Sequence, residues 1–163
     1  MLNAEGHQVN DGEVGQVHVR GGNVFSGYWR NEKATEEAFR DGYFRTGDLA
    51  IRSSDGYYEL QGRMSDLIIS GGYNIYPREI EEFLQLQPEI SEAAVVGAPD
   101  PIWGEVPVAY VVLRQPLDPA ELQARCKASL ASFKTPHRIH QIEQLPRNAM
   151  GKVAKKELAV FNA

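Results

Sequence analysis

Asp48 follows Thr46-Gly47, Arg63 follows Gly62, Gly71 and Gly72 stand side by side, and Lys152 follows Gly151. A carboxylate offers two acceptor oxygens to neighbouring donors, and an arginine offers a permanent cation. A double glycine lets another group approach bare backbone, and a loop lysine supplies a compact charge on a flexible stem. Each residue also has a plainer reading. Asp48 can serve an Asx turn, Arg63 a surface ion pair, Gly71-Gly72 a hairpin, and Lys152 the solvent. The Gly151-Lys152 pair does not complete a phosphate-binding P-loop, because Pro146 stands where the first glycine belongs and no Ser or Thr follows the lysine. His137 and His140 would suit a metal on a helix; on a strand with no third ligand nearby they read as surface histidines, and no metal site is expected.

The composition narrows the classes. A formal net charge of −5 opposes a general nucleic-acid binder, which needs a positive field. Locally the balance reverses: residues 133–156 hold six Lys or Arg against the single acid Glu143, a solvated face or a seat for a phosphate. The lone Cys126 excludes an internal disulfide and points to a reducing compartment. No apolar run approaches membrane-spanning length, the N-terminus is polar, and Phe161-Asn162-Ala163 is no known address, so a cytoplasmic protein is expected.

These residues need elements to hold them. Alternation over Glu13–Arg20 predicts a half-buried strand, and Asn31 can cap a helix through KATEEAF. Leu49–Ser53 and Tyr57–Gln61 flank Ser54-Asp55-Gly56 as a hairpin would, with Thr46-Gly47-Asp48 read as a turn ahead of it. Asp66–Ser70 and Tyr73–Tyr76 flank the double glycine as a second hairpin. Pro77 opens a helix with Ile80, Phe83 and Leu84 on its apolar face. Glu92–Gly97 and Glu105–Leu113 read as strands, the second apolar on nearly every residue and therefore central. DPAE starts a helix bearing Leu122, Cys126 and Leu130, His137–Ile142 is a further strand, LPRNAMGK a loop, and VAKKELAVF a terminal helix. Without a regular βαβ repeat the expected class is α+β: a small mixed-sheet domain with packed helices over 63–163, preceded over 1–62 by β-hairpins with little core of their own.

In order, TGD at 46–48, GR at 62–63, DLIISGGYNIYPREIE at 66–81 and LPRNAMGK at 145–152 resemble the last third of the acyl-adenylate-forming ligases, from GEVGQVHVRG onward. That superfamily includes acyl-CoA synthetases, luciferase and peptide-synthetase adenylation domains, and SGGYNIYPREIE is more similar to the CoA ligases. The resemblance implies a parent enzyme joining a carboxylate to ATP with release of pyrophosphate, then passing the acyl group to CoA with release of AMP. It implies ATP, CoA and Mg²⁺ as cofactors of that parent, with none held tightly by this chain. By position, Asp48 matches the aspartate on the ribose hydroxyls and Arg63 the arginine that reaches the nucleotide. Ser65 matches the hinge, where relatives more often carry Lys or Asp. Gly71 and Gly72 match the pantetheine channel, and Lys152 the adenylating lysine, with Arg147, Lys155 and Lys156 expected to keep the field around it positive.

The resemblance also implies that 1–62 are the terminal strands of a large domain that is otherwise missing, and 63–163 its mobile lid. The chain alone is then expected to be inactive. Bare strand edges in 1–62 are expected to give a homodimer, a flexible front end or aggregation. The default acyl substrate is a fatty acid or another small carboxylic acid. Two further readings stand beside it: a stand-alone nucleotide- or CoA-binding regulatory module, and the end of a peptide-synthetase adenylation domain.

Overall fold

The computed structural model describes residues 1–3 and 5–160; Phe161–Ala163, including the end of the expected terminal helix, lie outside the described residues. The chain forms two compact units, Met1–Ser65 and Asp66–Ala163, where the sequence placed the boundary at Gly62-Arg63.

The first unit is a four-stranded antiparallel sheet centred on β3 (Tyr43–Arg52), with β1 (Val14–Val19) along one edge and both β2 (Phe39–Arg40) and β4 (Tyr58–Arg63) along the other. Asn31 caps α1 (Glu32–Ala38): its Oδ1 accepts from Ala34 N at 3.0 Å, satisfying an amide the first turn leaves unpaired. One expectation is corrected here. Thr46-Gly47-Asp48 is not a turn ahead of the hairpin; it lies inside β3, where residues 46–48 bulge opposite the single residue Val17 between the pairs Gln16–Leu49 and His18–Arg45. Gly47 makes the bulge affordable, with φ of 77° in the left-handed region. The core is thin: among the described residues of this unit, only Leu49 and Ala50 are buried hydrophobic residues.

The second unit is built on the long antiparallel pair β7 (Ile90–Asp100) and β8 (Gly104–Leu113), in continuous register from Glu92–Val112 to Asp100–Gly104, with a bulge at Ser91 before the pair Ile90–Leu113. Along its other edge β8 pairs with β5 (Ile68–Ser70) at Gly104 and with β9 (Arg138–Gln141) from Val108 to Val111. β5 and β6 (Tyr73–Ile75) form the expected second hairpin. The β8–β9 pair is parallel, joined through α3 (Pro119–Ser129), so one βαβ crossover sits within an otherwise antiparallel sheet.

Both faces of this sheet are covered. Ala93, Val95, Ala109 and Val111 face Ile80 and Leu84 of α2 (Pro77–Gln85) and Leu122 and Cys126 of α3. Ala94, Val96, Val108 and Tyr110 face Leu145 and Leu158, the latter from α4 (Lys155–Val160). Covering both faces is why β8 is apolar at nearly every position. Proline at the first turn of α2 and α3 fits a fixed φ where no amide is missed, and Asp118 Oδ1 caps α3 by accepting from Ala120 N at 2.9 Å.

Candidate functional site

In the first unit the structure brings Asp48 and Arg63 together. They are direct cross-strand partners on β3 and β4, and Arg63 Nε lies 2.9 Å from Asp48 Oδ1. Arg63 Nη1 donates to Thr46 O at 2.9 Å, while Asp48 N donates to Thr46 Oγ1, which itself donates to Val17 O, both at 3.0 Å. The bulge therefore locks the backbone beneath the carboxylate and leaves the side chains open, at 32% exposure for Asp48 and 57% for Arg63. So exposed a pair adds at most about 1 kcal/mol of stability, which makes it a poor structural staple. It is well suited to a ligand, because a carboxylate with one oxygen on a guanidinium can still accept hydroxyl donors on the other. Ser65 lies in a short 3-10 turn, Met64–Asp66, and the first compact unit ends on it.

Lys152 sits on a tightly tied loop of the second unit. An isolated bridge between Arg147 and Val153 closes it. Inside, Asn148 Oδ1 accepts from the amides of Met150 and Lys152 at 3.0 Å each, and Asn148 N and Gly151 N donate to Lys152 O and Asn148 O at 2.9 Å. Arg147 Nη1 donates to Gly151 O at 2.8 Å, and its Nη2 pairs with Glu92 on β7. The backbone is held while the Lys152 side chain projects into solvent with no partner among the described residues.

The expected field of surrounding cations is corrected by the same geometry. Arg147 is paired with Glu92, and Lys155 Nζ lies 2.6 Å from Glu81 and 3.7 Å from Asp66, so the charges of both are largely offset. The positive charge left at the loop is concentrated on Lys152 and its neighbour Lys156 rather than spread over the four.

Gly71 and Gly72 form the turn of the β5–β6 hairpin with φ of 56° and 84°, the pattern of a type I′ turn. Their surroundings differ. A Cβ on Gly71 would lie 2.6 Å from Trp103 Cε3, whereas one on Gly72 would meet nothing within 4 Å. Gly71 N also donates to Trp103 O at 2.8 Å. The indole thus fills the side that the sequence reading left bare for a ligand, and the open backbone is that of Gly72.

Trp103 is set by its own turn: Asp100 Oδ1 accepts from the amides of Ile102 and Trp103 at 2.9 Å each, bonds that hold the Asp100 carboxyl below its ordinary pKa. Beside it Tyr73 stacks on Phe133 with ring centroids 4.6 Å apart. Ser70, Ser132 and His137 complete a groove of about 290 Å³ lined with these aromatic rings. His140, in β9, instead stacks against Tyr110 on the opposite sheet face.

The lysine loop and the glycine turn are far apart within this unit. Arg147 anchors the first near Glu92 at the start of β7, while the second pairs with Gly104 beyond Asp100 at the end of β7. At the rise of an antiparallel strand that separation is about 25 Å.

Residues 79–152 match the AMP-binding enzyme C-terminal domain family. Over these residues, which take in the β7–β8 pair and the Lys152 loop, the chain is similar to the C-terminal domain of AMP-binding enzymes. It is 44% identical to the 2-succinylbenzoate–CoA ligase of Bacillus licheniformis, over 96% of this chain and 33% of that protein. It is 45% identical to the sulfoacetate–CoA ligase of Cupriavidus necator, over 97% of this chain and 32% of that protein. Among solved structures, the o-succinylbenzoate CoA synthetase from Bacillus subtilis in complex with the acyl-adenylate intermediate superposes with a TM-score of 0.91 at 41% identity, over 96% of this chain and 32% of that one. The amide bond synthetase McbA from Marinactinospora thermotolerans does so at 0.93 and 34% identity, over 98% and 33%. The chain thus spans about a third of the length of the curated relatives it matches.

Three features escaped the sequence reading. Trp103 and the Tyr73–Phe133 stack are contributed by separate elements, and nothing in spacing joins residues 73, 103 and 133. Glu92 reads as one polar residue opening a strand. Asn148 alone carried a signal: an Asn three residues before a glycine is a common local cap for a turn.

Proposed function

We propose that this chain supplies the C-terminal part of an AMP-forming acyl-CoA synthetase, which converts a carboxylate, ATP and CoA to acyl-CoA, AMP and pyrophosphate through an acyl-adenylate. The observation that carries the reading is the placement of two different ligand-facing ends on one rigid sheet, a free lysine at one and an open glycine turn beside an aromatic groove at the other. In the first half-reaction two anions, the carboxylate and the α-phosphate, must meet. The Lys152 ammonium offsets their repulsion and stabilises charge developing on the phosphate oxygens. In the second, the narrow pantetheine arm passes the bare face of Gly72, and the base of CoA stacks in the groove of Trp103, Tyr73 and Phe133. A separation of about 25 Å prevents both ends from meeting one nucleotide at once, so they act in turn, about a pivot at Ser65.

Asp48 holds the ribose hydroxyls and Arg63 supports it from β4. Residues 1–65 and 66–163 accordingly act as the edge of the nucleotide domain and as the mobile domain. ATP with Mg²⁺ and CoA are the parent's cofactors, as in the solved succinylbenzoate enzyme bound to ATP and magnesium. The relatives' names point away from a long-chain fatty acid: 2-succinylbenzoate and sulfoacetate are compact acids with a second anionic or polar group, and we assign the substrate to that class.

The test replaces the corresponding third of the Bacillus licheniformis ligase with this chain. Carboxylate-dependent ATP–pyrophosphate exchange and CoA thioester formation are expected from the chimera, and neither from the chain alone. A folded chimera without exchange would sink the reading, and exchange by the isolated chain would sink its dependence on a larger partner.

A further inference from the structure

We propose that Glu92 is a positioning residue for Lys152, acting through Arg147. This rests on the adenylating role assigned above to Lys152. Glu92 stands near the start of β7 and pairs with Val112 of β8 just past the bulge at Ser91, so its Cα is held by the ladder. Its carboxylate takes Nη2 of Arg147, and Nη1 of the same guanidinium holds the carbonyl of Gly151 at 2.8 Å. Gly151 immediately precedes Lys152 and has φ of 78°, a conformation that glycine enters and leaves at little cost. Without the guanidinium, the peptide between Gly151 and Lys152 keeps only the local bonds to Asn148, which move with the loop itself.

The planar fork of arginine suits this relay, because a carboxylate fixing one nitrogen orients the other. The chain of contact therefore runs from sheet to carboxylate, guanidinium, carbonyl and finally the Lys152 Cα. An ammonium on a flexible stem can tolerate a soft base when it only needs to be near solvent. To sit between two reacting anions it needs a fixed Cα, since a displacement of about 1 Å at a reacting group can cost on the order of 100-fold in rate. Glu92 touches neither substrate nor nucleotide in this scheme.

Two measurements on Glu92→Ala test the proposal. In the full chain, amide hydrogen exchange followed by NMR should show the Lys152 N–H exchanging about three- to fivefold faster, the most that so exposed a pair supports, with amides of the β7–β8 ladder unchanged. In the chimera, ATP–pyrophosphate exchange should fall about tenfold through kcat with KM for ATP nearly constant, and thioester formation from supplied acyl-adenylate should stay within about twofold. Glu92→Gln, which retains an acceptor, should recover most of the loss, and Arg147→Lys, which cannot fork, should not. Unchanged Lys152 exchange, or an equal fall in both half-reactions, overturns the proposal. Lys152→Ala separates the two readings. If that variant loses exchange while Glu92→Ala does not, positioning by Glu92 is wrong and the lysine's role stands; if Lys152→Ala keeps exchange, the role given to the lysine is itself wrong.

Discussion

In the proposed reaction the chemistry turns on Lys152, whose loop backbone is bonded at Asn148, Met150, Gly151 and Lys152 while its amine has no partner among the described residues. Lys152→Met in the chimera should lower pyrophosphate exchange by about 100-fold or more and leave thioester formation from acyl-adenylate nearly intact, measured by single-turnover quench. The two turn glycines should separate on substitution. Gly72→Ala meets only the left-handed backbone penalty, about 1 kcal/mol, whereas Gly71→Ala adds a clash with the Trp103 ring and should cost roughly 2–4 kcal/mol in urea unfolding. Equal costs would mean that the indole moves aside freely. Cys126 gives a pH signature. Burial pushes its thiol from the ordinary 9.0 up to about 11, so the folded chain keeps a proton that the unfolded chain releases. Its contribution to stability is complete below pH 9 and is lost as pH rises through about 11. Cys126→Ala should flatten that alkaline decline in denaturation curves taken from pH 8 upward.

At the scale of the element, caps decide where helices begin. Asp118→Ala removes the acceptor for Ala120 N and should destabilise the chain by about 1 kcal/mol, read from the urea midpoint, with Asp118→Ser recovering most of it. Such local chemistry is what a sequence makes visible. The Asn31 cap, the Gly71-Gly72 turn and the prolines opening α2 and α3 all depend on neighbours in the chain, and all stood out before any coordinates. What was misread depends on distant partners. Thr46-Gly47-Asp48 has the composition of a turn, and only pairing of β3 with β1 across Val17 makes it a bulge. β7 was expected to end at Gly97 but runs to Asp100; Pro99, opposite Glu105, lies on an edge strand, where a proline is tolerated. The strand that became β9 was expected, but its parallel pairing with β8 was not assigned, because one helix between two strands does not by itself fix a crossover. At the candidate site, Asp48, Arg63, the glycines and Lys152 were legible as motifs. Glu92, Trp103 and Phe133 were not, since each gains meaning only from a residue at least 30 positions away.

Across the whole molecule the two units differ in how they are stabilised. Among the described residues, nearly all buried hydrophobic side chains, from Ile68 to Leu158, belong to the second, while the first buries only Leu49 and Ala50 and exposes Phe25, Tyr28, Trp29, Tyr57 and Leu60. Limited proteolysis should therefore cut within residues 1–65 first and leave a resistant product beginning near Asp66; initial cleavage inside β7 or β8 would contradict this. The same distribution has an optical consequence. Each unit contains one tryptophan, Trp29 at 87% exposure and Trp103 at 50%, packed over Gly71. Their emission should resolve into a red-shifted component readily quenched by iodide and a bluer, partly shielded one. With Trp29→Phe, the remaining fluorophore stands at the rim of the aromatic groove, so the protein carries its own lamp where CoA is proposed to enter, and dimming on addition of CoA would register that entry without any label.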